Sequence, residues 1–234
     1  MKIAIVGNGE CALTNKNGKF IDSCDYVVRI KNFKTTGFEE YVGTKINIFS
    51  SKWFSWFRRD SYEPIDFDFL NNIRFFLFMF FDPNQSFDLI RYKIGSYVYE
   101  YNELQLRNEY PNRMGSRIVH NNELMIRGID YSKTLYMTPH EIFELSNLLI
   151  KSNDFYRTDV PFKSIIEPTV GIRTIYKMLK LFPDEEIYIT GFDGFETSWY
   201  WEPAHKVNRS HFYLNERIYL KYLVNNKMVI NLDG

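Results

Sequence analysis

Two glycine-containing stretches are the first residues of this chain whose types and spacing could do chemistry. Residues 7–9 (Gly-Asn-Gly) follow an apolar run, and residues 168–171 (Pro-Thr-Val-Gly) precede a run with apolar residues at helical spacing. Glycines let a backbone approach a phosphate closely, and the N–H groups at a helix N-terminus attract an anion. A plain tight turn and an ordinary helix cap would show the same patterns one at a time. Together the two stretches predict a pocket for a nucleotide.

A pair of histidines late in the chain could do proton chemistry. His205 and His211 are two of the four histidines, and they stand close together. Histidine is the natural general base for a sugar hydroxyl near neutral pH. Glu216 follows His211 by five positions, so its carboxylate could accept the second ring N–H of that imidazole and fix its tautomer. Such a spacing is common by chance, so it gains meaning only beside a pocket.

Three polar residues follow the second apolar run. Arg29, Lys31 and Asn32 should stand at the same sheet edge as residues 7–9, where a cation and an amide suit a phosphate or a carboxylate. A solvated strand end would carry the same residue types, so that alternative stays open. Asp66 and Asp68 could hold a metal, but they lie in an acidic stretch with a proline, which is typical of a solvated loop. No metal site is predicted.

Alternating strands and helices must position these residues. Apolar runs predict strands at residues 1–6, 25–30, 45–49, 74–81, 134–137, 186–190 and 228–232. Helical spacing predicts helices that start at about Thr138, Thr169 and Tyr213. The alternation indicates an α/β fold, a Rossmann-like and mostly parallel sheet flanked by helices, in a single domain of residues 1–234. The polar segment of about residues 92–125 predicts a small insertion, either a lid or a lobe for an acceptor.

Composition excludes several classes of protein. Lys+Arg and Asp+Glu number 29 each, so no net charge attracts nucleic acid. The two cysteines, Cys11 and Cys24, do not fit a disulfide-rich secreted domain. The most apolar run, residues 75–81, has 7 residues, whereas a membrane span needs about 20. With no leader pattern either, we expect a cytoplasmic protein without a transmembrane segment. Peripheral association with the inner membrane stays open.

The ordered motifs resemble those of the animal-type sialyltransferases, glycosyltransferase family 29. The long motif of that family has Val-Gly-Asn, then Ile-Asp and Val-x-Arg, then Gly-Phe-Glu and Val-Gly, and it is matched by residues 6–43. The short motif, Pro-Ser-x-Gly with a helix and an apolar strand ending in Gly-Phe, is matched by residues 168–193. His205 resembles one histidine motif of that family, and His211 with Glu216 resembles the other. The resemblance covers roughly residues 3–50 and 165–232.

The resemblance implies an enzyme, a glycosyltransferase that moves an acidic sugar, first of all sialic acid, from its CMP ester to a glycan acceptor. It implies an inverting displacement with His211 as the general base, His205 at the departing phosphate, and Glu216 completing the catalytic set. The residues it assigns to the donor nucleotide are Gly7, Asn8, Gly9, Arg29, Lys31, Asn32, Thr169, Val170, Gly171 and Asp193. No cofactor and no metal is implied, since a single-phosphate leaving group has less need of a divalent ion than a diphosphate.

Departures from the family pattern leave alternatives open. Lys31 stands where the family has asparagine, so CMP-Kdo is the alternative donor and a Kdo transferase the alternative enzyme. Tyr41 replaces an aspartate of the long motif. Both cysteines lie before residue 25, so the disulfide of the animal enzymes has no counterpart, which suggests a bacterial or viral member that builds surface polysaccharide or lipopolysaccharide.

More distant alternatives are a nicotinamide oxidoreductase and a nucleotide-sensing module. The sequence does not indicate the acceptor, the linkage or the oligomeric state.

Overall fold

A computed structural model gives the fold, and it describes residues 1–51, 73–78, 89–94, 97–102, 131–151, 168–194, 196–201 and 213–234. The strands in these ranges are β1 (Lys2–Val6), β2 (Tyr26–Ile30), β3 (Ile48–Ser51), β4 (Phe75–Phe78), β5 (Leu89–Ile94), β6 (Tyr97–Asn102), β7 (Thr134–Tyr136), β8 (Glu186–Thr190) and β9 (Ile230–Asn231). The α-helices are α1 (Gly18–Ser23), α2 (Glu39–Val42), α3 (Pro139–Lys151), α4 (Val170–Leu181) and α5 (Tyr213–Asn225). No helix of the described ranges is both long and apolar enough to cross a membrane.

Seven of these strands form one parallel sheet in the order β7-β4-β3-β2-β1-β8-β9. Strand β1 lies between β2 and β8, with Val6 opposite Arg29 on one side and opposite Thr190 on the other. The chain runs outwards from β1 to β7 and then returns to β8, so the strand order reverses beside β1. In open α/β sheets a ligand crevice forms at such a reversal, beyond the carboxyl ends of the strands.

The central strands are mostly apolar because both faces of the sheet are covered. Helices α3, α4 and α5 pack on one face, against the side chains of Ile3, Ile5 and Val28. Helices α1 and α2 pack on the other face, against Ala4 and Val27. Alternate residues of each strand therefore serve opposite layers of the core, and the ends of β1, β2 and β8 are held together at one edge.

The predicted α/β class with a mostly parallel sheet is confirmed. Helix α3 begins at Pro139 as predicted, because Thr138 and Glu141 form a reciprocal cap: the Thr138 N–H donates to the Glu141 carboxylate at 2.7 Å, and the Glu141 N–H donates to the Thr138 hydroxyl at 3.1 Å. The strand predicted at residues 45–49 is Ile48–Ser51 in the structure, and the strand predicted at residues 228–232 is only Ile230–Asn231.

The described part of the predicted insertion is a pair of strands. Strands β5 and β6 pair antiparallel, with Tyr92 opposite Tyr99, and form a two-stranded sheet separate from the main one. The alternating tyrosines of residues 97–101 thus lie on a strand, as their spacing indicates. Residues 103–125 lie outside the described ranges, and the role of a lid or an acceptor lobe stays a prediction.

Candidate active site

A cleft opens where the strand order reverses, beside the first turn of α4. The space between its walls is about 670 Å³, counting the part that is open to solvent. The lining residues come from the loops after β1, β2 and β8, the start of α4 and one side of α5: Gly7, Asn8, Gly9, Ile30, Lys31, Thr169, Val170, Gly171, Ile172, Gly191, Phe192, Asp193, Gly194, Thr197, Trp199, Glu216 and Leu220. The two glycine-containing stretches therefore face one space.

The loops after β1 and β8 touch each other, and that contact requires glycine. The Gly7 N–H donates to the Thr190 carbonyl at 2.8 Å, and the Gly9 N–H donates to the Gly191 carbonyl at 3.0 Å. A Cβ on Gly7 would lie 2.4 Å from the Gly191 carbonyl oxygen, so no side chain fits there. Both N–H groups are thus used within the protein. Gly7 and Gly9 shape the cleft, but these N–H groups are not available to a phosphate.

Asn8 carries an unpaired acceptor at the cleft. Its side chain is 8% exposed, and its Nδ2 donates to the Ile30 carbonyl at 3.2 Å. Its Oδ1 has no hydrogen-bond partner among the described residues. Leaving a buried polar atom unpaired costs about 1–3 kcal/mol. This oxygen therefore favours a ligand that brings a hydroxyl or amino hydrogen, whereas a bare phosphate would bring only further acceptors.

Thr169 caps helix α4, and its own donors are both occupied. Its hydroxyl oxygen accepts the Ile172 N–H at 3.4 Å, which is the expected N-cap bond. Its backbone N–H and its hydroxyl donate to the two carboxylate oxygens of Glu216, at 2.7 and 2.6 Å. The N–H groups of Val170 and Gly171 belong to the first turn, where a helix offers them no acceptor. These two groups can therefore donate to an anion at the turn, beside the cap residue Thr169.

Glu216 lies in the first turn of α5 and faces the cleft although it is only 2% exposed. Burial raises the pKa of its carboxyl group to about 7, against the lowering effects of the two Thr169 hydrogen bonds and the charges of Arg173 and Lys31. His205 and His211 lie outside the described residues. The predicted contact between Glu216 and the His211 ring stays a prediction, and the partner observed for both carboxylate oxygens is Thr169.

The three polar residues at the end of β2 and just after it occupy different places. Lys31 lines the cleft and has a left-handed backbone with φ +50°. Asn32 is half-buried and does not line the cleft. Arg29 is fully buried, and its Nε donates to the Lys45 carbonyl at 3.1 Å. Strand alternation sends Arg29 to the layer of α1 and α2, opposite to Ile30. The assignment of Arg29 to the donor nucleotide therefore does not fit its position.

Asp193 lines the cleft and organises the turn after β8. Its Oδ2 accepts the Thr197 N–H at 3.1 Å and also the Thr197 hydroxyl. The sequence analysis missed Phe192, Thr197 and Trp199 as lining residues. Trp199 forms an isolated antiparallel bridge with Gly9. Tryptophan occurs only four times in the chain, and Trp199 comes shortly after the glycines of residues 191–194. That position was a usable signal for a lining residue, but the general abundance of aromatic residues obscured it.

Comparison with known protein families identifies the family of the chain. The family model described as glycosyltransferase family 29 (sialyltransferase) matches residues 1–228. The chain belongs to this family. The predicted family and the enzyme class of glycosyltransferase are therefore confirmed, and membership argues against a nicotinamide oxidoreductase.

Solved structures agree with the sialyltransferase fold. Two crystal structures described as a mammalian sialyltransferase, one of them in complex with Gal-beta-1-3GalNAc-ortho-nitrophenol, resemble this family 29 chain with TM-scores of 0.57 and 0.56. They are 18% and 17% identical to it, and each comparison covers 100% of this chain and 69% of the other. A structure of CstII is 13% identical with a TM-score of 0.48, covering 99% of this chain and 81% of that one. A sequence search of curated proteins finds no match.

Proposed function

We propose that this sialyltransferase-family protein transfers sialic acid from CMP-sialic acid to a hydroxyl group of a glycan acceptor. The observation that carries the proposal is the joining of an unpaired acceptor, Asn8 Oδ1, and the first turn of α4 in one cleft. A nucleoside monophosphate ester has donor hydrogens at one end and an anion at the other. The cleft offers a complementary group for each.

The phosphate belongs at the first turn of α4. The N–H groups of Val170 and Gly171 and the positive end of this helix stabilise negative charge. Lys31 lines the same cleft and adds a cation. Negative charge grows on the phosphate as the bond to the sugar breaks, so donors fixed in advance stabilise the departing group more than the intact ester.

The cytidine belongs towards Asn8. Its ribose hydroxyls and its amino group can donate to Asn8 Oδ1, which a phosphate cannot do. Phe192, Trp199 and Leu220 supply apolar wall on which a base and a ribose can pack. We therefore assign Asn8 to the nucleoside rather than to the phosphate.

For the chemical step we assign His211 as general base and His205 to the leaving group. His211 takes the proton of the acceptor hydroxyl while that oxygen forms a bond to the anomeric carbon. The bond from this carbon to the phosphate oxygen breaks, its electron pair leaves with CMP, and the anomeric configuration inverts. His205 stabilises the departing phosphate. Transfer should need no divalent metal, since one phosphate leaves, and added EDTA should not change the rate.

The experiment compares two donors in parallel. The protein is incubated with CMP-sialic acid and with CMP-Kdo, with a mixed glycan acceptor, and free CMP is measured. CMP-Kdo is the second candidate because Lys31, which replaces the family asparagine, lies in the cleft. Release from CMP-sialic acid supports the proposal, whereas release from CMP-Kdo alone replaces it. CMP binding without release from either donor would indicate a nucleotide-sensing module.

The base assignment has its own test. His211→Ala should remove most transfer, because no other group is assigned to take the acceptor proton, and should leave CMP binding measurable. Transfer is scored by CMP release and binding by calorimetry. Full transfer activity in this variant would reject His211 as the base.

A further inference from the structure

Glu216 links helices α4 and α5 beside the first turn of α4. The predicted role of Glu216 in orienting His211 does not explain this link. Glu216 lies on α5, and both of its carboxylate oxygens bind Thr169, the cap of α4, at 2.7 and 2.6 Å. Thr169 is itself buried. The orientation of the first turn of α4 therefore depends on this carboxyl group.

The direction of these hydrogen bonds depends on the proton of Glu216. When the carboxyl group is ionised it only accepts, so the Thr169 hydroxyl must give its hydrogen to Glu216. When the carboxyl group is protonated, its O–H can donate to the Thr169 oxygen, which also accepts the Ile172 N–H. The Thr169 hydroxyl hydrogen then becomes free for a further acceptor, and a phosphate at the first turn of α4 provides one.

Electrostatic repulsion also favours the protonated form of Glu216 when a phosphate is bound. An ionised Glu216 already places a negative charge at the N-terminus of α4, which the phosphate would share. Two negative charges that lie close together with little solvent repel each other, so each one makes the other less favourable. The groups of the described chain that face Glu216 are Thr169 and Arg173 from α4 and Lys31 from the loop after β2. The two cations offset part of the repulsion, and a proton on Glu216 removes it.

We propose that Glu216 is a positioning residue that holds Thr169 at the start of α4 and must carry a proton for the donor phosphate to bind most tightly. The inference rests on the proposed CMP site and concerns how that site is prepared. Burial that raises the pKa of Glu216 to about 7 makes this proton exchangeable in the neutral range.

The test measures the Kd of a cytidine 5′-phosphodiester, such as the methyl ester of CMP, by calorimetry from about pH 6 to about pH 8. This probe keeps one negative charge over that range, so its own titration does not contribute. If only the protonated protein binds it, affinity follows the protonated fraction, and a pKa of about 7 predicts roughly tenfold weaker binding at the upper pH than at the lower. Binding near neutral pH should take up about half a proton per complex, measured in two buffers of different ionisation enthalpy.

Glu216→Gln is the matching variant. Its amide oxygen can accept the Thr169 N–H and its amide N–H can donate to the Thr169 oxygen, as the protonated acid does. It should bind the probe with the affinity of the wild type at low pH, and without the tenfold pH dependence. Glu141→Gln makes the same change in the cap of α3 and should keep the pH dependence of the wild type.

The outcomes separate this inference from the proposed function. Wild-type binding that is equally tight across the range, without proton uptake, would overturn the role of Glu216 and leave the CMP site standing. Absence of binding at every pH would overturn the CMP site, and this inference with it. His205 and His211 also titrate in the neutral range, so proton uptake is measured again in a variant that carries both His205→Asn and His211→Asn. Uptake that persists in this variant supports Glu216 even if Glu216→Gln does not fold, whereas uptake that disappears would overturn the role of Glu216.

Discussion

The cost of burying the Glu216 carboxylate can be measured as a change of stability with pH. Its pKa is raised from an ordinary 4.5 to about 7, chiefly by burial. A difference of this size corresponds to about 3 kcal/mol between the two protonation states. Because the folded state binds the proton more tightly, the favourable contribution is complete below about pH 4.5. It is lost as the pH rises through about 7.

Glu216→Gln removes this loss while keeping a group that can both accept and donate to Thr169. The variant and the wild type should have similar free energies of unfolding near pH 5, where Glu216 is protonated in the folded state. Near pH 8 the variant should be the more stable one, by up to about 3 kcal/mol, which corresponds to a rise in Tm of roughly 6–12 °C for a domain of this size. Urea denaturation followed by circular dichroism at several pH values gives these free energies directly.

Glu141→Gln is the control for a lost carboxylate in a helix cap. Glu141 also pairs with Lys177 at 2.6 Å, so this variant should lose stability at pH 8 rather than gain it. If the curves of the wild type and Glu216→Gln run parallel from about pH 5 to pH 8, Glu216 ionises without a burial cost, and the reasoning from its environment is refuted.

Further predictions concern the cleft. Gly191→Ala should destabilise the protein by at least about 2 kcal/mol in urea denaturation, because Gly191 has φ +74° and a Cβ there would lie 2.7 Å from the Gly7 backbone; a neutral result would contradict the loop contact. Asn8→Ala should weaken the binding of a cytidine nucleotide about tenfold by calorimetry, the value of one hydrogen bond to a buried acceptor, and unchanged affinity would remove Asn8 from the nucleoside. Lys31→Met should weaken binding of the same nucleotide by a similar factor through lost charge, whereas Arg29→Met should leave its Kd within about twofold. Equal effects of these two variants would show that Arg29 also reaches the ligand.

Much of the fold could be predicted because its signals are local. Buried parallel strands are apolar on both faces, so β1, β2 and β8 stand out as mostly apolar runs. Thr169 before a helical pattern indicates a cap, and it is one. Strand ends were less predictable. Pairing with a neighbour decides how far a strand extends, which is why β9 has only two residues.

The layer to which a side chain belongs could not be derived from position alone. Arg29 and Lys31 are two residues apart and look equivalent in the sequence. The pairing of β2 with its neighbours turns Arg29 into the core, and the left-handed backbone at Lys31 breaks the alternation and leaves that residue at the cleft. A cation near a strand end therefore indicates an anion site only after the sheet is known.

By itself the sequence determined the family, the parallel α/β fold and the loops that meet at the cleft, since ordered motifs and periodic patterns reside in neighbouring residues. Only the tertiary structure decided which N–H groups are free and what Glu216 binds. Those bonds join distant segments: Glu216 and Thr169 are 47 positions apart, and they meet because α4 and α5 pack on the same face of the sheet. Burial between these helices also sets the pKa of Glu216, a property that no stretch of residues around position 216 contains.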